Sequence, residues 1–332
     1  MNLLTVENLT VTLATGSGDA QAVRNLSFNV GHGEILGVAG ESGSGKTMTA
    51  LSMLGLLPYK GKASGSIKFD GREILTSTKR EYRDIRGKEI AMIFQDPMTS
   101  LHPMLTVEVQ LTEHLRHHRK VSKEAARNSA LELLATVKIP EPAAALKAHP
   151  SQFSGGMRQR IAIAMALACE PKLLIADEPT TALDVTVQAQ ILELIAEMQE
   201  ESGSAVILIT HDLGVVAEIT ERVLVMYAGR LVESASVADA FASPSHPYTR
   251  GLLNSVKSLD SDRHTQLKPI PGTPPSLINL PAGCPFHSRC QYAESMNGKC
   301  ESEVPELKAV GNSWSACHLP LEVLSMSVKE SR

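Results

Sequence analysis

Residues 38–49 read V-A-G-E-S-G-S-G-K-T-M-T and contain a full match to the phosphate-binding pattern G-x-x-x-x-G-K-[ST]. An apolar run at residues 35–39 predicts a buried strand, and residues 48–57 predict an apolar helix. Strand, glycine loop and helix therefore follow in the order that such a loop requires. The residues expected to surround a phosphate group are Gly40, Glu41, Ser42, Gly43, Ser44, Gly45, Lys46 and Thr47.

The chemistry of this loop depends on its glycines. Successive backbone N–H groups must turn inward around a polyanion, and side chains would obstruct that approach. The N-terminus of the following helix adds its dipole. Lys46 would reach the β- and γ-phosphates of a nucleotide, and the Thr47 hydroxyl would ligate Mg²⁺. A glycine-rich loop without a ligand is the alternative, and the flanking strand and helix disfavour it.

The bulk properties exclude several classes of protein. The chain has 332 residues, 43% of them hydrophobic and 20% charged, which is ordinary for a globular protein. A net charge of −4 argues against a sequence-independent nucleic-acid binder, so we expect no nucleic-acid partner. Residues 1–11 lack the features of a secretory signal, and the longest apolar run, residues 161–169, is too short to span a membrane. Any membrane role is therefore expected to be peripheral.

Hydrophobic patterning predicts an α/β fold with three parts. Alternating residues at 3–13, 23–30 and 66–70 predict an antiparallel layer. Helical spacing over residues 106–146 predicts an inserted helical subdomain spanning about 100–168, broken at Pro140 and Pro142. Apolar runs that alternate with helices predict a mainly parallel sheet; these strands are residues 35–39, 90–94, 173–177, 205–210 and 223–227.

The chain changes character after about residue 235, where Pro, Ser and Gly accumulate. We therefore predict two domains, residues 1–235 and 236–332. The second is expected to be an appended module of packed irregular structure that does not continue the sheet.

Polar residues stand where predicted strands end, namely Gln95, Asp177, Glu178 and His211. The carboxyl ends of strands are where ligands bind in an open α/β sheet. Asp177 suits Mg²⁺ ligation, with Gln95 as a further candidate ligand. Glu178 suits a base that deprotonates the attacking water, and His211 could contact the γ-phosphate. A solvated turn is the alternative for the two acids, and Gln95 and His211 alone carry little weight.

The first 235 residues resemble the ATP-binding cassette (ABC) ATPases. Beside the phosphate loop stand the signature-like F-S-G-G-M at 153–157, the Asp177-Glu178 pair, the loop Ala182-Leu183-Asp184 and His211. In that family two cassettes pack head to tail around ATP. The resemblance implies that Ser154, Gly155 and Gly156 contact the nucleotide of a partner cassette and that Asp184 contacts the partner. Ser154 is also a plausible helix N-cap.

Two positions depart from the family pattern. Met157 stands where the signature usually has Gln, which removes one polar contact. Leu13, Ala14 and Thr15 stand where an aromatic residue usually stacks on adenine, so no stacking residue is assigned.

The tail resembles the C-terminal extension of oligopeptide and dipeptide importers. The strings S-H-P-Y-T at 245–249, I-P-G-T-P-P at 270–275 and C-P-F-H-S-R-C at 284–290 carry this resemblance. It implies an ATPase on the cytoplasmic face of the inner membrane that drives peptide import with two permease subunits and an extracytoplasmic solute-binding protein. A second, different ATPase subunit is favoured over a homodimer. The alternatives are nickel import and a soluble cassette that acts on ribosomes or DNA. The chain has one cassette and no long coiled-coil insert, which disfavours the soluble cassette.

Four cysteines lie in the tail, Cys284, Cys290, Cys300 and Cys317. Disulfides are disfavoured in a compartment that supplies ATP, and the close C-x₂₋₄-C pairs of structural zinc are missing. Uneven spacing of four thiols fits a [4Fe–4S] cluster, and the resemblance points the same way. Zinc and free thiols remain alternatives. His287 and His318 are expected to be bystanders.

Overall fold

The computed structural model describes residues 2–96, 100–181, 183–255, 270–320 and 323. Ala182, which belongs to the predicted loop Ala182-Leu183-Asp184, lies outside the described residues. In chain order the strands are β1 (Asn2–Thr15), β2 (Gly18–Gly31), β3 (Ile35–Ala39), β4 (Lys62–Phe69), β5 (Arg72–Glu73), β6 (Ile90–Ile93), β7 (Leu173–Asp177), β8 (Ala205–Thr210), β9 (Arg222–Tyr227), β10 (Arg230–Ser236), β11 (Lys308–Val310) and β12 (Ser313–Ser315).

The α-helices of the described residues lie between these strands and in the tail. They are α1 (Lys46–Met53), α2 (Lys79–Ile85), α3 (Val107–Arg119), α4 (Lys123–Thr136), α5 (Pro142–Ala145), α6 (Gly155–Leu167), α7 (Val185–Ser202), α8 (Leu213–Ile219), α9 (Val237–Ala242), α10 (Pro247–Ser255) and α11 (Lys299–Ser302). None of the described helices is both long enough and apolar enough to cross a membrane.

The chain forms two compact units. The first consists of Met1–Leu3, Val30–Glu34 and Thr76–Ile209, and the second of Leu4–Asn29, Ile35–Leu75 and Thr210–Arg332. Each unit is therefore assembled from separate stretches of chain. The two domains predicted at residues 1–235 and 236–332 stay a prediction.

The first unit contains a parallel ladder of β6, β7 and β8. Leu173 pairs with Ile90 on one side and with Ala205 on the other. All residues of β7 and β8 are buried, as expected of strands covered on both faces. The continuous apolar runs of the sequence thus correspond to central parallel strands, as predicted.

Helices α3 to α6 of the first unit occupy the predicted helical insertion. The insertion has a break that the sequence pattern did not indicate, between α3 and α4. Lys120 adopts a left-handed conformation with φ 54° and ends α3, and the Ser122 hydroxyl accepts the Ala125 N–H and begins α4. Pro142 then stands at the first position of α5, where its missing N–H costs nothing.

The second unit contains the predicted antiparallel layer, a four-stranded sheet with the order β2-β1-β4-β5. Its other strands pair in the order β3-β9-β10-β12-β11; β3 and β9 are parallel, and the remaining pairs are antiparallel. A tight turn joins β9 to β10, because Ala228 and Gly229 both have positive φ, 46° and 80°.

The expectation that the tail does not continue the sheet is wrong. Strand β12 pairs with β10, so that Glu233 lies opposite Ser315 and Ser234 opposite Trp314. Ser313 and Ser315 are buried while Trp314 is 52% exposed, which is the alternation of a strand. Three residues among prolines and glycines are too few for this alternation to be recognised in the sequence.

The tail also shares a hydrophobic core with the strands of the second unit. Tyr248 and Phe286 pack in one cluster with Val223, Val225 and Tyr227 of β9. Ring centroids of Tyr227 lie 4.6 Å from Tyr248 and 5.2 Å from Phe286. Aromatic side chains in such a cluster contribute large buried apolar areas.

We predict that Phe286→Ala destabilises the protein by about 3–5 kcal/mol, because it leaves a cavity in this shared core. Trp314→Ala is the control and should cost less than half as much, since about half of the Trp314 surface is exposed whereas Phe286 is 4% exposed. Urea denaturation of the full chain measures both. An effect of Phe286→Ala as small as that of Trp314→Ala would show that the Phe286 ring does not contribute to the core.

Candidate active site

The phosphate loop lies in the second unit, between β3 and α1. Its shape needs glycine at two positions in particular: Gly40 has φ 152° and Gly45, the residue that caps α1, has φ 103°. A Cβ atom at Gly40 would collide with the carbonyl oxygen of Met226, and one at Gly45 with that of Ala22. The glycines are therefore required by the close approach of neighbouring backbone as well as by their dihedral angles.

Lys46 points into the loop. Its buried Nζ donates to the carbonyl oxygens of Gly40 at 2.6 Å and Glu41 at 3.0 Å, and to Ser44 Oγ at 3.4 Å. The ammonium thus lies at the centre of the loop, where a phosphate group would bind. Helix α1 begins at Lys46, so Thr47 lies in its first turn, half-buried.

Helix α1 is shifted from its predicted span of residues 48–57. It begins at Lys46 because Gly45 is its cap, and it ends at Met53. Gly55 follows with φ 59°, and Pro58 lacks the N–H that a helix would need.

Two tail residues contact Glu41 of the phosphate loop. The Arg289 guanidinium donates two hydrogen bonds to the Glu41 carboxylate, Nη1 to Oε2 at 2.6 Å and Nη2 to Oε1 at 3.0 Å. The Glu41 backbone N–H donates to the Tyr248 hydroxyl at 2.8 Å. The hydrogen bond with Glu41 raises the pKa of Arg289, and burial raises the pKa of Tyr248, so the guanidinium stays charged and the phenol protonated.

Sequence reasoning missed these two residues, although both stand within the strings that identified the tail. Arg289 and Tyr248 are 248 and 207 positions away from Glu41. No local pattern connects residues so far apart.

The predicted carboxylates lie in the first unit, at the end of β7. Asp177 is the last residue of the strand and is 2% exposed. Glu178 follows with φ 46°, a strained conformation for a residue with a side chain, and its N–H donates to the Ile209 carbonyl at 2.8 Å. Backbone strain of this kind often accompanies a functional residue.

The structure brings Gln95 and Glu178 together, as their positions at strand ends predicted. Gln95 Nε2 donates to Glu178 Oε2 at 3.0 Å, and Thr181 Oγ1 donates to the same oxygen at 2.8 Å. Two donors on one oxygen fix the orientation of the carboxylate. Binding of a water molecule by the Glu178 carboxylate, or of a metal ion by Gln95, stays a prediction.

The Ser-Gly-Gly segment of the first unit begins helix α6. The Ser154 hydroxyl accepts the Met157 N–H at 3.3 Å, which confirms the predicted N-cap. A Cβ at Gly156 would approach Val187 Cγ1 to 2.8 Å, so the signature segment lies against the start of α7. Asp184 caps α7, because its Oδ1 accepts the Val187 N–H at 3.0 Å. Ser154, Gly155 and Asp184 are exposed.

His211 is the residue after Thr210, the last of β8; it belongs to the second unit and is exposed. The next residue, Asp212, caps α8 by accepting the Gly214 N–H at 2.7 Å. At the predicted adenine position, Leu13 is half-buried while Ala14 and Thr15 are exposed at the end of β1. Contacts of these residues with a nucleotide stay predictions.

The four tail cysteines and Cys169 are free thiols. Burial raises the pKa of Cys284 to about 11 and that of Cys317 to about 12, and the tail thiols also raise one another's pKa values. The Leu319 N–H donates to Cys317 Sγ at 3.4 Å. Nearby backbone N–H groups act against burial and lower the pKa values of Cys284 and Cys290.

The tail cysteines therefore lie near one another among backbone donors, which are the donor type that stabilises iron–sulfur clusters. Among the residues that the structure describes, however, no three His, Cys, Asp or Glu side chains are arranged to hold a metal ion. His287 Nδ1 lies 2.8 Å from the Cys284 carbonyl oxygen and His318 Nε2 3.0 Å from the Glu303 carbonyl oxygen.

Two family profiles match this chain. The ABC transporter profile matches residues 23–181, and the profile of the oligopeptide/dipeptide transporter C-terminal region matches residues 232–296. The second match includes Tyr248 and Arg289.

Curated relatives are similar over nearly the whole chain. The oligopeptide transport ATP-binding protein OppD of Escherichia coli (strain K12) is 51% identical over 322 residues, which are 97% of this chain and 94% of the relative. The dipeptide transport ATP-binding protein DppD of Bacillus subtilis (strain 168) is 55% identical over 290 residues, 87% and 86% of the two chains.

Solved structures share the fold. The dimeric post-hydrolysis structure of the ATP-binding cassette MJ0796, bound to ADP and Pi, has a TM-score of 0.64 at 30% identity and covers 70% of this chain and 98% of its own. The structure of cbiO1 from Clostridium perfringens, part of the ABC transporter complex cbiONQ, has a TM-score of 0.62 at 30% identity, covering 73% and 91%.

These similarities show that the protein is an ATP-hydrolysing ABC cassette. The predicted α/β cassette fold and the predicted ATP hydrolysis are therefore confirmed. More narrowly, the chain belongs to the family of ABC transporter ATPase subunits that carry the oligopeptide/dipeptide C-terminal region. ATP and Mg²⁺ are the cofactors expected for this family.

We predict that Gly45→Ala weakens ATP binding by at least about tenfold, which corresponds to ~1.4 kcal/mol, because the added Cβ collides with the Ala22 carbonyl and strains a left-handed residue. Gly16→Ala is the control, since a Cβ there meets no atom within 4 Å. Calorimetric titration with ATP compares them. Unchanged affinity in Gly45→Ala would contradict the assigned loop.

Proposed function

We propose that this chain hydrolyses ATP at the cytoplasmic face of the inner membrane and drives import of oligopeptides or dipeptides through two permease subunits. The observation that carries the catalytic part is the Glu178 carboxylate, held at the end of a buried strand by Gln95 and Thr181. The names of the similar OppD and DppD proteins support the peptide substrate. They favour it over nickel import or a soluble, non-transport role.

Glu178 acts as the base in this proposal. Gln95 and Thr181 orient the Glu178 carboxylate, which would take a proton from a water molecule and so make that water a better nucleophile toward the γ-phosphate. Thr47, Gln95 and Asp177 are the candidate ligands that would hold Mg²⁺, which would supply positive charge beside the phosphates. His211 contacts the γ-phosphate, and Lys46 with the backbone of the loop binds the phosphate groups.

A partner cassette completes the site. Ser154 and Gly155 are exposed residues at the start of α6, and the backbone N–H groups at a helix start suit contacts to phosphate oxygens. We assign them, with Gly156, to the nucleotide of the partner and Asp184 to the dimer contact. The solved dimer of a similar cassette supports such an arrangement. A different ATPase subunit is the proposed partner, and an extracytoplasmic solute-binding protein delivers the substrate to the permeases.

We predict that Glu178→Gln lowers ATP turnover by about 100-fold or more, because the amide cannot accept the proton. ATP binding should persist, since the amide keeps the size of the side chain. Peptide uptake by cells that carry the variant importer should fall with the turnover.

The matched control is Glu193→Gln, an exposed residue on α7, which should leave turnover and uptake unchanged. The measurements are phosphate release by the assembled importer and uptake of a labelled tripeptide. Normal hydrolysis in Glu178→Gln would reject the base. Hydrolysis that supports nickel uptake but no peptide uptake would favour the nickel alternative.

The tail cysteines form a second proposed site, a [4Fe–4S] cluster bound by Cys284, Cys290, Cys300 and Cys317. The resemblance of the tail, the effect of the thiols on one another's pKa values and the N–H donor to Cys317 support it, whereas no three described His, Cys, Asp or Glu side chains are arranged to hold a metal ion. The cluster would supply covalent links between separate segments of the tail. Zinc or free thiols are the competing assignments.

We predict that protein purified without oxygen contains iron and sulfide and absorbs at about 400 nm, with bleaching on reduction. Cys300→Ser should lose most of the iron, whereas Cys169→Ser, a buried thiol outside the tail, should keep it. Metal analysis and absorbance spectra measure this. Zinc in place of iron, or no metal, would reject the cluster.

A further inference from the structure

The phosphate loop carries a negative charge of its own. Glu41 lies within the loop, and its carbonyl oxygen already accepts a hydrogen bond from Lys46. Its side chain is 28% exposed, so water screens the carboxylate incompletely. An uncompensated carboxylate there would repel the phosphates of a nucleotide, since like charges a few ångströms apart are unfavourable.

Arg289 of the tail compensates this charge. Both of its terminal nitrogens contact the Glu41 carboxylate, at 2.6 and 3.0 Å, in the planar two-bond geometry that only arginine offers. The Arg289 side chain is 4% exposed. Within a site so poorly hydrated, the ion pair is much stronger than one on the surface.

The tail holds Arg289 in place. Its Nε donates to the Pro271 carbonyl at 2.8 Å, and its Nη1 also lies 3.3 Å from the Tyr227 hydroxyl. The guanidinium carbon lies 5.8 Å from the ring centroid of Tyr227 and 6.0 Å from that of Phe286. These contacts fix the rotamer, so little conformational entropy is lost in pairing with Glu41.

Tyr248 secures the loop at a second point. Its hydroxyl accepts the Glu41 backbone N–H, and its ring is fully buried. Burial lowers the pKa of the neighbouring His246 to about 3, so the imidazole is neutral and its Nδ1 accepts the Tyr248 N–H at 3.0 Å. Backbone and side chain of Glu41 are thus both bound by residues of the tail.

We propose that Arg289 is a positioning residue for nucleotide binding: it neutralises Glu41 and, together with Tyr248, holds the phosphate loop in its binding shape. The C-terminal extension is then part of the nucleotide site. This inference rests on the proposed ATPase function, because it assigns a role in the same loop.

Neutralisation of Glu41 by Arg289 predicts that substitutions at the two positions have non-additive effects on nucleotide binding. Arg289→Gln leaves the Glu41 carboxylate unpaired beside the phosphates and should weaken binding of the non-hydrolysable analogue AMP-PNP with Mg²⁺ about tenfold. Glu41→Gln removes the charge itself. The double variant Glu41→Gln/Arg289→Gln should therefore bind within about threefold of wild type, so that the second substitution rescues the first.

The measurement is calorimetric titration of the purified full chain, with thermal unfolding of each variant recorded alongside. Arg250→Gln is the matched control, since this tail arginine donates to Tyr292 within the extension. It should bind AMP-PNP like wild type. Arg289→Lys keeps the charge without the two-bond geometry and should fall between wild type and Arg289→Gln.

The outcomes separate the inference from the proposed function. If wild type does not bind AMP-PNP, the nucleotide function fails. If wild type binds and Arg289→Gln binds equally well, the positioning role is overturned. If the double variant binds no better than Arg289→Gln, the neutralisation of Glu41 by Arg289 is overturned. Should Arg289→Gln not fold, the same decision rests on Arg289→Lys with and without Glu41→Gln.

Discussion

The second unit depends on one constraint, that the phosphate loop must keep its backbone N–H groups turned inward. Few of these donors pair within the loop itself: the Ser44 N–H donates to the Glu41 carbonyl at 3.2 Å, and the Glu41 N–H donates to the Tyr248 hydroxyl. Side chains and neighbouring backbone therefore help to hold the loop in shape. Lys46 binds the carbonyls of Gly40 and Glu41, and the close approach of the Ala22 backbone limits Gly45. The tail supplies the remaining contacts through Glu41.

Contacts of this kind need a rigid support, and the shared core provides it. Tyr227 of β9, with Tyr248 and Phe286 of the tail, forms one aromatic group whose rings pack edge to face or tilted. The group excludes water around Arg289, which strengthens the ion pair while charge pairing offsets the cost of burying the guanidinium. Pairing of β12 with β10 fixes the tail to the same strands. Packing and electrostatics therefore act together at Glu41.

Local features of the fold and site could be predicted from the sequence because they depend on neighbouring residues. The glycine loop, the apolar strands that end at Asp177 and Thr210, and the Ser154 cap each reside in one short stretch. The proximity of Gln95 and Glu178 followed from the rule that strand ends share an edge. The break at Lys120 was missed because a left-handed lysine has no sequence signature. The pairing of β12 and the Arg289 contact were missed because only the folded chain brings those residues together.

In the tail sequence, the cysteines of the proposed cluster lie next to the arginine that contacts the phosphate loop. Cys284 and Cys290 bracket Phe286 and Arg289, and the intervening backbone forms a tight turn in which the Arg289 N–H donates to the Phe286 carbonyl at 3.0 Å. Such a turn leaves few backbone dihedral angles free between a thiol and the guanidinium. A change in the position of Cys290 must therefore displace its neighbour Arg289, whose two hydrogen bonds tolerate little movement. The tail cysteines and the phosphate loop are thus joined by a short path, because Arg289, which directly precedes Cys290 in the chain, makes both hydrogen bonds to the Glu41 carboxylate.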